Sequence, residues 1–208
     1  SKRHKYLNLY KIKKLVSSCQ YIKKNRKLIF SILVEPNFNL LNNKSYKYAD
    51  TVIQASISKR KDNNLMLKDL FVPFGEDDSQ SSSLYKKKFE GNTNTITTLS
   101  LNPKNLFKLV KDYLRINSIK YSNVILRINN EGNEDECIYS LCEAFNDKKI
   151  YIMGSLDDVY KIKGYKAYKT LEDFLNKNNL SLHKFSTILN SWLEPTLKIR
   201  KIMENMNE

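Results

Sequence analysis

The sequence predicts an α/β or α+β domain built on a mixed β-sheet, and three observations carry that prediction. From residue 95 onward, β-favouring runs alternate with stretches of helical periodicity. Before that point, two runs separated by a short polar turn read as an N-terminal β-hairpin. A chain of 208 residues, 41% hydrophobic and 11% aromatic, also carries enough apolar material for one sizeable core.

Residues 5–24 place Tyr6, Leu9, Tyr10, Val16, Cys19 and Ile22 at helical spacing among lysines, which predicts a basic amphipathic helix. Leu28 to Val34 reads as a buried strand, ended by Glu35-Pro36 and an Asn-rich turn at 37–43. In Thr51 to Lys59, Ile53, Ala55 and Ile57 alternate with Gln54, Ser56 and Ser58, the pattern of a half-buried strand. Asp62-Asn63-Asn64 turns the chain into Leu65 to Val72 and closes the expected hairpin. Residues 75–94 hold Gly75, an acidic run, Ser81-Ser82-Ser83, Lys86-Lys87-Lys88 and Gly91, and are expected to form a mobile loop.

Thr95 to Leu101 favours a strand, and Asn102-Pro103 then supplies an N-cap with proline at the first helical position. The helix expected as far as Ile116 presents Leu106, Phe107, Leu109, Val110, Tyr113 and Leu114 along one broad face. A strand (Asn123 to Ile128), an acidic turn, a helix (Asp135 to Phe145) and a short strand (Lys149 to Met153) follow. Gly154-Ser155 is expected to cap a short helix from Leu156 to Lys163. An extended piece at Tyr165 to Tyr168 should lead to Thr170, which caps a further helix with Asp173 placed for a capping box. The C-terminus reads as helical from Ser181, broken or kinked at Pro195.

Charge divides the chain. The net charge is +14, yet ten of the 36 Lys and Arg fall within residues 1–27, which carry no acid. The remaining 181 residues hold 26 basic and 22 acidic groups and are nearly balanced. Two units are therefore expected: a basic arm over 1–27 and a single α/β domain over 28–208. The arm's cations include Lys5, Lys11, Lys13, Lys14, Lys23, Lys24, Arg26 and Lys27. Such an arm is either a targeting remnant or docked basic helix, or a nucleic-acid contact in which Tyr6, Tyr10 and Tyr21 stack on bases. The 24 asparagines and the many lysines match A/T-rich coding and say nothing about fold. No apolar run approaches the ~18–20 residues that cross a bilayer, and no secretory signal pattern is expected at the N-terminus.

Catalytic patterns are missing from the sequence. Neither GxGxxG nor GxxxxGK[ST] occurs, and the chain has five glycines in all. The two histidines are His4, in the arm, and His183, which reads as an ordinary polar position. Gly154-Ser155 does not belong to a GxSxG motif, and Asp157 and Asp158 suit the positive end of a helix. Glu131, Glu134, Asp135 and Glu136 suggest calcium, but placing Gly132 at the sixth loop position puts Arg127 at the first, where it cannot ligate. Cys137 and Cys142, five apart, point about 140° away from each other on a helix, and with Cys19 they read as structural thiols. A binding protein without cofactor or metal is expected, not an enzyme.

Two blocks carry a family resemblance. Thr98-Leu99-Ser100-Leu101 running into Lys104-Asn105-Leu106-Phe107-Lys108-Leu109 is one strand-to-helix unit, and Ile150-Tyr151-Ile152-Met153-Gly154-Ser155-Leu156-Asp157-Asp158-Val159-Tyr160 is another. Together they resemble the Tic-twenty-two family, the small soluble intermembrane-space component of the plastid inner-envelope translocon. Asn117 to Asp147 departs from that pattern by adding a strand and a helix between the blocks. The resemblance implies a non-enzymatic, chaperone-like protein without cofactor that assists preprotein import into a plastid, here an apicoplast. It implies unfolded preproteins and translocon components as partners, and a place in the intermembrane space or peripheral to the inner membrane. Apolar surface beyond the needs of the core would then hold the client, and Phe71 and Phe74, flanking Pro73, are the candidates. The alternative is an RNA-binding or organellar ribosome-associated protein that uses the basic arm, with weak nucleic-acid binding.

Overall fold

The lysine-rich stretch folds as α1 (Leu9–Lys24). Leu15, Ser18 and Ile22 form its sheltered strip, while Lys11, Lys13, Lys14, Lys23 and Lys24 stay in water. This computed structural model describes residues 9–38, 40, 48–59, 65–73, 82–88, 91–184 and 188–206. Lys5 and Phe74 lie outside the described residues.

A 3₁₀ turn (Arg26–Leu28) leads to β1 (Ile32–Val34), which is shorter than the strand expected over 28–34. The cause is Arg26. Its guanidinium donates to the Ile29 carbonyl, to the Ser31 hydroxyl at 2.7 Å and to the Tyr48 carbonyl at 2.8 Å, and it pairs with Asp50 at 2.6 Å. Those bonds fasten the 26–31 stretch to Tyr48 and Asp50, and the strand begins only at Ile32.

β2 (Thr51–Ile53) lies parallel to β1, and β3 (Ser56–Ile57) resumes the same stretch after a break at Gln54-Ala55. β4 (Met66–Pro73) pairs antiparallel with β5 (Thr93–Leu101), and β5 pairs parallel with β3 on its other side. The strand order is β3-β5-β4, so the hairpin expected between 51–59 and 65–72 does not form. β5 offers a nine-residue strand, five of its residues Thr or Ile, to the eight of β4, whereas 51–57 is broken in the middle. The longer ladder, although non-local, wins over the local turn.

α2 (Pro103–Ile116) starts as expected: the Asn102 side-chain carbonyl accepts the Lys104 N–H at 2.9 Å. β6 (Asn123–Ile128), α3 (Glu134–Ala144), β7 (Lys149–Gly154), α4 (Asp157–Lys163), α5 (Tyr165–Lys177), β8 (Leu182–Lys184) and α6 (Ile188–Glu204) complete the described chain. β6, β7 and β8 form a parallel sheet in that order. The expected α/β or α+β class with mixed strand pairing is present.

Three local expectations fail. Tyr165 to Tyr168 is helix, because Gly164 at φ 86° ends α4 and α5 begins at the next residue. Thr170 lies inside α5, donating to the Lys166 carbonyl at 2.8 Å, and Asp173 pairs with Lys169 at 3.2 Å, so neither serves a cap. Near the C-terminus, β8 occupies 182–184 where helix was expected, and α6 runs on through Pro195. Buried Leu193, Ile202 and Met203 anchor α6 on both sides of the proline, so packing offsets the one lost backbone bond.

The main core lies between the parallel sheet and α3, α4 and α5, and it includes Ile128, Ile138, Ile152, Leu156, Val159 and Leu171. Ala55, Leu101 and Leu106 form a second cluster under α2. Phe107, Leu141 and Phe145 join α2 to α3.

Candidate functional site

Alternation along β4 decides which groups remain available. Leu70 and Val72 turn inward and are buried, so Leu67, Asp69 and Phe71 share the outward face. Leu67 sits directly opposite Leu99, and the two are 67% and 39% exposed; Leu65, just before the strand, is 64% exposed. Phe71 exchanges both backbone hydrogen bonds with Ser83, at 2.8 and 3.0 Å, across the edge away from β5. By antiparallel alternation, the N–H and C=O of Asp69 and Leu67 point to that same edge. Among the described residues nothing takes them. β4 therefore offers an open hydrogen-bonding edge beside exposed leucines.

Past Ser83 the chain crosses to the second half of the molecule. The Ser83 hydroxyl donates to the Glu131 carbonyl at 2.9 Å, and the Tyr85 hydroxyl donates to the Asn133 side chain at 2.7 Å. Lys88 pairs with Glu131 and, at 3.2 Å, with Asp158, while Lys87 donates to the Ile162 carbonyl. Residues 82–88, inside the stretch expected to be a mobile loop, are tied down by these bonds.

The loop they meet is conformationally demanding. Glu131 and Gly132 take φ of 53° and 118°, and a Cβ on Gly132 would lie 2.5 Å from the Ile162 Cδ1. Glu134, 1% exposed, holds this loop by accepting the N–H of Asn130 at 2.8 Å and of Gly132 at 2.9 Å. Burial pushes its carboxyl above the ordinary range, and these N–H bonds oppose the shift. Asp135 pairs with Lys163 at 2.6 Å and Glu136 with Lys59 at 2.7 Å. A cavity of about 420 Å³ lies here, lined by Lys68, Tyr85, Asn133, Asp135, Glu136 and Lys163 among others. Asp135 and Glu136 each already face an ammonium, so the arrangement is a polar joint between the β3-β5-β4 and β6-β7-β8 sheets. Among the described residues no group of His, Cys, Asp and Glu suits a metal ion. Cys137 is buried beside it, and burial pushes its thiol up; that of Cys142 is pushed up to about 11.

The residues singled out in the sequence are scattered. Phe71 is half-buried on the outward face of β4, four residues from Leu67. Lys11, Lys13, Lys14, Lys23, Lys24 and Lys27 are exposed on or just after α1. Arg26 is not a free cation of the arm but the knot described above. Burial would raise the Asp50 carboxyl, yet the bonds from Arg26 and Ser31 outweigh it and hold the group below its ordinary range. α1 itself packs on α6, where Arg200 lies 5.1 Å from the Tyr21 ring centre and reaches Ser17 at 3.3 Å. Leu65, Leu67 and Leu99 were missed, because their exposure depends on β5 being the partner of β4. Leu65-Met66-Leu67-Lys68-Asp69 shows no apolar-polar alternation, so the local sequence carried no sign of an outward face.

His183 adds a pH dependence. Among the described residues its buried Nε2 has no hydrogen-bond partner. Burial and the Lys198 ammonium hold its pKa below the usual 6.5, against the pull of Glu194. The folded chain thus resists a proton that the unfolded chain accepts, so stability is intact above about pH 6.5 and declines as pH falls below it. Thermal melts between about pH 7 and pH 5.5 should show that decline, and His183→Gln should flatten it.

No family model, curated protein or solved structure matches the chain. Among the described residues, no helix is long and apolar enough to cross a membrane.

Proposed function

We propose that the chain is a non-catalytic, chaperone-like protein that holds unfolded preproteins as added strands on the edge of β4. The open edge at Leu67 and Asp69, beside the exposed Leu67–Leu99 pair, carries this reading. An extended client satisfies the free backbone groups whatever its sequence, and its alternate side chains cover the leucines. Asp69, between Leu67 and Phe71, favours a client that places a basic residue between apolar ones. Import sequences that are basic and poor in acids have that composition. The place of action that goes with the family resemblance is a plastid, the apicoplast, in the intermembrane space or peripheral to the inner membrane.

Magnitudes support loose, releasable binding. Two edge residues contribute donors and acceptors at about 0.5–1.5 kcal/mol per bond, and each buried leucine adds about 1.5–3 kcal/mol. Lost freedom on association costs about 4–15 kcal/mol. The difference leaves weak affinity, which suits a carrier that must let go.

The test is the double substitution Leu67→Asn with Leu99→Thr. Both side chains are exposed, so stability should change by no more than about 0.5 kcal/mol each. Suppression of aggregation of an unfolded client should fall several-fold, and should vary little between low and moderate salt. Unchanged suppression by a folded double variant overturns the reading.

A further inference from the structure

A second surface lies on the parallel sheet, away from β4. Along β6 and β7, Val124, Leu126, Ile150 and Ile152 pack into the core clusters, so the intervening residues turn to the face that α6 covers. Two ammonium groups lie over the Tyr151 ring, the Lys149 Nζ 5.7 Å and the Lys198 Nζ 5.3 Å from its centre. Beside it opens a recess of about 280 Å³ between the starts of β6 and β7 and the last turn of α6. Ser122, Asn123, Tyr151 and Asn205 line it, an aromatic ring framed by hydroxyl and amide groups. On α6, Lys201 is exposed, and α1, packed on that helix, shows Lys11, Lys13, Lys14, Lys23 and Lys24 to solvent without a single acid.

We propose that this surface binds single-stranded nucleic acid, with a base stacked on Tyr151 in the recess as the Lys149 and Lys198 ammonium groups turn from the ring to the phosphates, which the lysines of α1 also hold. An aromatic platform inside a cationic groove is the general means of holding single strands without reading their sequence. The amides of Asn123 and Asn205 supply donors and acceptors that suit any base edge. The negative end of the α6 dipole falls at the recess, so the base enters it and the phosphates stay outside on the lysines. An anionic membrane is the poorer fit. Leu15 and Ile22 of α1 are sheltered, so among its described residues Val16 is the one large apolar side chain exposed for insertion between headgroups, and a flat surface cannot enter the recess.

Fluorescence anisotropy of the full chain with a labelled single-stranded RNA of about ten nucleotides tests the proposal. Binding should be present at 50 mM salt and should weaken by roughly a hundredfold or more at 200 mM if six phosphates are neutralised. Tyr151→Ala should weaken it roughly tenfold while Tyr151→Phe retains it, because stacking needs the ring and not the hydroxyl. Lys149→Glu, a change at an exposed side chain, should weaken binding without altering the melt, and so covers the case in which Tyr151→Ala fails to fold. Vesicles of phosphatidylcholine and phosphatidylserine should leave the chain in solution at the same salt. Absence of RNA binding at 50 mM, equal affinity of the Lys149→Glu variant, or capture by vesicles in place of RNA overturns the proposal.

Discussion

Replacing Gly154 by Ala should lower stability by about 3 kcal/mol, a cost at the upper end of that for overfilling a packed site. Gly154 is the last residue of β7 and pairs with Ile128, the last residue of β6. A Cβ built there lies 2.1 Å from the Ile128 carbonyl oxygen. That oxygen is backbone within a ladder, so it cannot rotate aside as a side-chain end does. β6 and β7 must part at the end where Asn129 to Asn133 and Ser155 leave the sheet, and buried Ile128, Ile152 and Leu156 must follow. For a domain of this size the loss corresponds to a fall in Tm of roughly 6–12 °C. Gly91, which has nothing within 4 Å of its built Cβ, is the control, and Gly91→Ala should change stability by no more than about 0.5 kcal/mol. If Gly154→Ala melts with the parent chain, the close approach of the two strands is wrong.

What the sequence made legible was local. The Asn102-Pro103 start of α2 needs only the side chain of one residue and the backbone two positions on, and it is present with the expected partner. Asn123 to Ile128 is a strand with the expected bounds, because β-branched and apolar residues follow one another between clear turn signals. What failed required knowledge of distant residues. The Asp62-Asn63-Asn64 turn argued for a hairpin, but the partner of β4 is set by a nine-residue strand some thirty positions later. Arg26 looked like one more cation of the arm, and only the position of Asp50 reveals that it is spent on holding a turn. The edge site has the same origin. Whether Leu67 and Leu99 are core or surface is settled by which face α2 and the second half of the chain cover, and no window of sequence contains that. Gly164 belongs with the failures: its positive φ makes α4 and α5 separate helices, whereas the sequence placed an extended piece at Tyr165 to Tyr168 directly after it.

The largest functional effect is expected from Asp69→Pro. Because Phe71 bonds to Ser83 across the outer edge, Asp69 opposite Thr97 is a pair that exchanges no backbone bonds, and its N–H faces the open side. Proline at that position therefore removes no bond of the β4–β5 ladder, which is the one context in which a strand edge tolerates it. Its ring fixes φ near −65°, away from the usual strand value, so a modest loss of stability accompanies the change. For an incoming strand the consequences are far greater. The donor at the centre of the free edge is gone, and the ring occupies the space in which the client backbone would lie. Loss of one bond and a steric clash together should reduce client protection by tenfold or more, which corresponds to about 1.4 kcal/mol. Asp69→Asn separates the backbone from the charge: it keeps the N–H, so protection of a neutral client should persist while that of a lysine-rich client weakens. Measuring aggregation suppression and melting on both variants distinguishes the possibilities. Full protection by a folded Asp69→Pro chain would show that clients are held elsewhere than on the edge of β4. A collapse of the melt would show instead that the Asp69 N–H belongs to the ladder, and that the edge is not open where the proposal needs it.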